Sequence, residues 1–157
     1  MVSLGMERAT VNVSLADVAE RAGVSVQTVL RHFGTRDGLF DEALRHGAAR
    51  IAAERRPPSR DVRAAISTLF DHYELRGDGV IRLLAQEAFD ERVAQVTENG
   101  RRTHREWVSQ VIAAATEEDV PVSDALVDQV VVVTDVYAWK LLRRDRGLAR
   151  DEAEDRV

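Results

Sequence analysis

Ser25-Val26-Gln27-Thr28, followed by Arg31-His32 and then Arg36, is the stretch whose side chains could do specific chemistry. That chemistry is recognition rather than catalysis. Gln27 and Thr28 can hydrogen-bond the edges of DNA bases, and Val26 can touch a thymine methyl group. Arg31 and His32 suit phosphate or base contact. Arg36 stands where a further helix begins, so its guanidinium and the free backbone amides there form a natural phosphate site.

Such residues read DNA only when held outward on a rigid element, and the flanking sequence supplies one. Ser14 is a good N-cap, and Asp17 three residues later completes a capping-box-like pair. Leu15, Val18, Ala19 and Ala22 recur at helical spacing and make one apolar face. Ala19 is small, which lets a second helix cross closely. Gly23 falls where the first helix must end, in the left-handed conformation that glycine enters without steric cost. Val24 plugs the gap, Ser25 caps a second helix over 26–32, and Thr35 caps a third. Val29 and Phe33 point back at Val18 and Ala22, which leaves Val26, Gln27, Thr28 and Arg31 outside. This layout matches a helix-turn-helix that presents its second helix to the major groove. The bland alternative is a compact helical segment without a ligand. An Ala-x-x-x-Gly spacing alone would not decide between them, but caps, apolar period, turn glycine and outward polar residues agree over a long window.

The residues Val18-Ala19-Glu20-Arg21-Ala22-Gly23-Val24-Ser25, Thr28-Val29-Leu30-Arg31-His32-Phe33 and Arg36-Asp37-Gly38-Leu39-Phe40 resemble the tetracycline-repressor (TetR) family of bacterial regulators. A weaker resemblance, to the family's dimer-forming helix, lies in Thr134-Asp135-Val136-Tyr137-Ala138-Trp139-Lys140-Leu141-Leu142-Arg143-Arg144-Asp145. Between the two, only the helical layout is similar. The resemblance implies an all-helical homodimer with an N-terminal DNA-binding head and a larger body that binds a small-molecule effector. It also implies that effector binding moves the heads apart and releases the operator. Carried over by position, Ser25, Gln27, Thr28 and Arg31 face bases, while His32 and Arg36 face phosphates. Val127, Val131, Ala138 and Leu142 fall at the dimer interface.

Two departures stand out. Leu30 occupies the place of a tyrosine whose hydroxyl commonly reaches a phosphate. Family members also carry a full helix before the motif, whereas Met1 to Val13 is short and Thr10, Val11 and Val13 are poor helix formers. Met6 to Ala9 could form a turn or so. On this reading part of the apolar face of Leu15, Val18 and Phe40 lacks cover, and the start is truncated or the head impaired.

The 157 residues suit one modest structural unit, or a small head joined to a larger body. With 45% apolar residues the chain can build a core, and with 5% aromatics that core is mainly aliphatic. The net charge of −5 does not itself suggest nucleic acid. Its distribution is more telling, since residues 1–56 carry 8 arginines against 7 acids and the acidic surplus falls in the remainder. An acidic body would be repelled by DNA, so contact belongs to the head. The absence of cysteine excludes disulfides, thiolate metal sites and cysteine nucleophiles. No apolar run approaches the ~20 residues that span a bilayer, and a cytoplasmic protein without membrane partners is expected.

Along the rest of the chain, Leu39, Phe40, Ala43, Leu44, Ala48 and Ile51 continue the third helix to about Arg56. Pro57-Pro58 ends it, which places the domain boundary between a head of 1–56 and a body of 57–157. Residues 59–76 are predicted as an amphipathic helix, with Val62, Ala65, Ile66, Leu69, Phe70 and Tyr73 on one side. Gly77-Asp78-Gly79 is expected to break it, with a short helix over 80–89 after the break. A longer helix is predicted over 91–116, in which Gly100 marks a bend or a close contact. A single helix is predicted from Ser123 or Asp124 to about Arg146, including the valine run 130–133 despite its strand propensity. That run, apolar all round, should be covered on one side by its own core and on the other by a second subunit. Gly147 ends the helix, and 148–157 forms a last short one. The fold class is therefore all-α, a helix-turn-helix head followed by a helical bundle.

Phe70, Tyr73, Trp107 and Tyr137 are large residues at inward positions of three helices, where they could line a pocket for a small apolar effector or simply fill the core. The histidines 32, 46, 72 and 104 lack metal-site spacing, although Asp71, His72 and Glu74 could meet His104 in space. No cofactor or metal is expected. No nucleophile elbow or phosphate loop is present, so an enzyme is not expected. The leading expectation is a ligand-responsive repressor that binds a near-palindromic double-stranded operator as a homodimer and is released by a small-molecule effector. The alternative is a helical ligand-binding or interaction protein whose head no longer reads DNA.

Overall fold

The computed structural model describes residues 13–55, 60–116 and 121–157. Every regular element among them is helical: α1 (Leu15–Ala22), α2 (Val26–Phe33), α3 (Arg36–Glu54), α4 (Val62–Leu84), α5 (Glu91–Ala115), α6 (Asp124–Thr134), α7 (Val136–Lys140), a π-helical turn (Leu141–Asp145) and α8 (Arg150–Glu154). Their starts are chemically determined. Ser25, Thr35, Asp61, Asp90, Ser123 and Asp135 each accept a backbone N–H from the first turn that follows.

Two apolar clusters organise these helices. Val13, Val18, Ala19, Val29 and Leu39 form one, with Leu15 and Phe33 packed against it. The other draws Leu69, Phe70, Tyr73, Trp107, Val108 and Trp139, among others, from α4, α5 and α7. The expected boundary at Pro57-Pro58 and the turn of helix expected at Met6 to Ala9 lie outside the described residues.

Several expectations need correction. Gly77-Asp78-Gly79 does not break a helix, because α4 runs unbroken from Val62 to Leu84. Gly77 is buried against the Trp139 indole, so the propensity cost of glycine, about 1 kcal/mol, is offset by an approach that no larger residue permits. The short helix expected over 80–89 is the end of α4 followed by turns. Gly100 is exposed and has no heavy atom close to a Cβ position, so it marks no close contact.

The single late helix is also interrupted. Asp135 is extended (ψ 153°) and separates α6 from α7. Its carboxylate caps α7 by accepting from Tyr137 N–H at 2.8 Å. Thr134 Oγ1 donates to the Val130 carbonyl at 2.6 Å, and the Tyr73 hydroxyl donates to the Thr134 carbonyl at 3.0 Å. Side-chain donors and acceptors thus replace the helical bonds lost at the break. Finally, Val18 and Phe40 are both buried rather than left without cover, and the Arg92 guanidinium lies 5.9 Å from the Phe40 ring centre.

Candidate nucleic-acid interface and the cavity behind it

The first two helices are locked by local bonds. Ser14 N–H donates to Asp17 Oδ2 at 2.7 Å and Asp17 N–H to Ser14 Oγ at 3.2 Å, a reciprocal capping box. Gly23 takes φ 66°, and its N–H with that of Val24 closes the carbonyls of Glu20 and Ala19. Ser25 Oγ then accepts from Thr28 N–H at 3.1 Å, which starts α2.

The resulting α2 has two unlike sides. Val29 is buried among Val18, Ala19 and Leu39. Val26, Gln27, Leu30, Arg31 and His32 are exposed. His32 packs edge-on against Phe33, with ring centres 5.8 Å apart. Ser25 and Thr28 are less free than sequence suggests, because their hydroxyls lie 2.9 Å from each other and Thr28 is half-buried. Arg36 donates from Nε and Nη2 to the Val13 carbonyl at 3.3 and 3.2 Å. That bond ties the start of α3 to the segment entering α1. Asp37, beside it, is ion-paired with Arg92 at the start of α5.

α3 continues from this surface into a cavity of about 370 Å³ whose wall it shares with α4, α5 and α7. Of the four aromatic residues expected there, Tyr73 and Tyr137 line the cavity. Phe70 and Trp107 are instead buried in the core cluster. Tyr137, expected inward, is 55% exposed. Arg55, His72, His104 and Asp135 belong to the polar part of the wall, together with Gln95, Thr97, Asn99, Arg101 and Thr103 of α5. Sequence reading overlooked Arg55, yet Leu44, Ile51 and Arg55 continue one stripe of α3.

Arg55 is buried. Its Nη2 donates to His104 Nδ1 at 2.5 Å, and its carbonyl accepts from Trp107 Nε1–H at 2.8 Å. An arginine can only donate, so His104 Nδ1 is the acceptor and the ring proton sits on Nε2. Nε2 lies 3.1 Å from Thr134 Oγ1. A polar chain therefore runs from the end of α3 through α5 to the break between α6 and α7.

Burial, with help from the Arg55 charge, lowers His104 to about 3 and His72 to about 4. Behind His72, Glu54 accepts both Arg76 Nε (2.7 Å) and Nη2 (2.6 Å) and is held down to about 2, chiefly by those bonds. Among the described residues, no three His, Asp or Glu side chains cluster as a metal site would require, and the Arg55 charge acts on both His72 and His104.

The residues expected at a dimer interface separate. Val127 is 4% exposed and packed in the chain's own core, so it is not available to a partner. Val131, Ala138 and Leu142 are half-buried. The exposed apolar residues on this stretch are Leu126, Val132, Val133, Tyr137 and Leu141.

Residues 3–43 match the family model of bacterial regulatory proteins, tetR family. The match begins ahead of α1, so the segment expected to lack a leading helix takes part in it. The chain is 36% identical over 73 residues to the HTH-type transcriptional regulator BetI of Paraburkholderia phymatum, covering 41% of this chain and 37% of that protein. It is 37% identical over 67 residues to BetI of Burkholderia cenocepacia, covering 37% and 34%. The match thus spans little more than a third of these curated relatives. No solved structure matches the chain significantly. No helix among the described residues is long and apolar enough to cross a membrane.

Proposed function

We propose that this chain, whose N-terminal segment belongs to the tetR family of bacterial regulatory proteins, is a cytoplasmic transcriptional repressor that binds a near-palindromic operator as a homodimer. The observation that carries this reading is the two-sidedness of α2. Val29 anchors it while Val26, Gln27, Arg31 and His32 are free to enter a major groove. Gln27 reads a base edge, Val26 meets a thymine methyl, and Ser25 and Thr28 flank them at the helix start. Arg31 faces bases with them, and His32 and Arg36 hold the phosphates.

The head ends near residue 56 and the body follows. The cavity against Tyr73 and Tyr137 receives a small-molecule effector, and α3, which spans from Arg36 to the cavity wall at Arg55, connects occupancy to the head. The partner subunit docks on the exposed apolar residues from Leu126 to Leu141, which a lone chain would leave to water. The test is binding of the full chain to DNA from its own upstream region at several salt concentrations. Tight binding with a steep salt slope supports the reading. If no upstream fragment binds at low salt, the repressor reading fails.

A further inference from the structure

The cavity wall carries an unbalanced charge. Arg55 is 7% exposed, and its Nε is a buried donor without a partner among the described residues. Among the described residues, its one side-chain hydrogen-bond partner is the His104 imidazole, kept uncharged by burial. The faces of Tyr73 and Trp107, 5.9 and 5.3 Å from the guanidinium carbon, compensate it in part. Asp135 acts on it through space, and that carboxylate already caps α7. A buried guanidinium without a bonded carboxylate is costly, and burial lowers its affinity for the proton accordingly.

The other charges around the cavity do not alter this balance. Arg101 is paired with Glu87 and Glu98. His72 bonds to Glu54, which is engaged by Arg76 and Arg50. Much of the remaining wall is aliphatic, including Leu44, Ile51, Val80, Leu84 and Val136.

We infer that the cavity takes an aliphatic carboxylate whose acid group pairs with Arg55 and whose chain lies against Leu44, Ile51, Val80 and Leu84. The inference rests on the reading of this cavity as an effector site and names the chemical class it accepts. A cationic ligand would face Arg55 directly. A neutral one of the same length would fill the apolar part and leave the guanidinium uncompensated. Asp135 opposes the incoming anion, so neutralising it should improve binding.

The experiment is calorimetric titration of the full chain with decanoate, decanol and decylamine. Decanoate should bind about tenfold tighter than decanol, as a charge-assisted bond to a buried guanidinium implies, with decylamine weakest. Arg55→Gln should erase the preference for decanoate over decanol. Asp135→Asn keeps a capping side chain and should tighten decanoate severalfold. Decanol or decylamine binding as well as decanoate would overturn the inference while leaving the cavity as a ligand site. Failure of all three to bind would remove the cavity reading as well. If Arg55→Gln does not fold, the Asp135→Asn titration decides, and unchanged or weaker decanoate binding counts against the anion.

Discussion

Gly77 and Trp139 meet so closely that a Cβ at residue 77 would lie 2.6 Å from Cη2 of the indole, and Trp139 is 1% exposed. The ring cannot swing aside, because its Nε1 donates to Glu74 Oε1 at 3.2 Å and the Arg144 guanidinium covers it at 4.4 Å. Gly77→Ala should therefore destabilise the fold. The gain in helix propensity, roughly 0.5–1 kcal/mol, is smaller than the overpacking cost, about 1–3 kcal/mol. Gly100→Ala is the contrasting case, since nothing stands near that position. It should stabilise by up to about 1 kcal/mol. Urea denaturation of both variants checks the pair, and a stabilised Gly77→Ala would contradict the packing described.

Acid should weaken the protein well before ordinary carboxylates titrate. His72 and His104 are held to about 4 and about 3, mainly by burial and then by Arg55. In the unfolded chain both titrate near pH 6.5. Between pH 6.5 and about 4 the unfolded state binds protons that the native state refuses, so stability falls as pH falls. Glu54, held to about 2 chiefly by Arg76, adds its loss below about pH 4.5. Each histidine contributes at most about 1.4 kcal/mol per pH unit across its window. Urea midpoints at pH 7.5, 6 and 5 should decline together with uptake of up to about two protons on unfolding. A midpoint independent of pH over that range would mean the two rings are not buried neutral.

What the sequence discloses and what it hides follow from how local each feature is. The capping box at Ser14 and Asp17, the turn at Gly23 and the caps at Ser25 and Thr35 are each complete within a few residues, so α1, α2 and the start of α3 are legible. Gly77 looks like a helix end because its reason, the Trp139 ring, is 62 positions away. The break at Asp135 depends on Tyr73, and the burial of Arg55 depends on His104 and Trp107. Polar residues with distant partners give no periodic signal. The valine run 130–133, by contrast, is helical as its length and setting suggest.

DNA recognition should divide between Gln27 and Arg36. Gln27→Ala should relax discrimination among operator sequences, with a loss of roughly 1–3 kcal/mol on the preferred one. Arg36→Ala should weaken all sequences about equally and lower the salt slope by about 1. It also removes the bond to the Val13 carbonyl, so a thermal melt must accompany the binding curves. Unchanged discrimination in Gln27→Ala would mean that α2 does not read bases as assigned.

The exposed apolar residues set the last prediction. Val133, Tyr137 and Leu141 are 42%, 55% and 53% exposed, and Val132 beside them is 69% exposed. Substituting Val133 and Leu141 by arginine places two like charges on this face. The positions are open to water, so the single chain should melt nearly as before, within about 0.5 kcal/mol per site. A dimer built on this face would instead bury unpaired cations and dissociate. Sedimentation velocity should then report a dimer for the parent chain and a monomer for the double variant, with operator affinity falling because both half-sites can no longer be held at once. A double variant that remains dimeric would move the partner contact elsewhere on the molecule. A parent chain that is monomeric at micromolar concentration would remove the two-fold operator from the proposal.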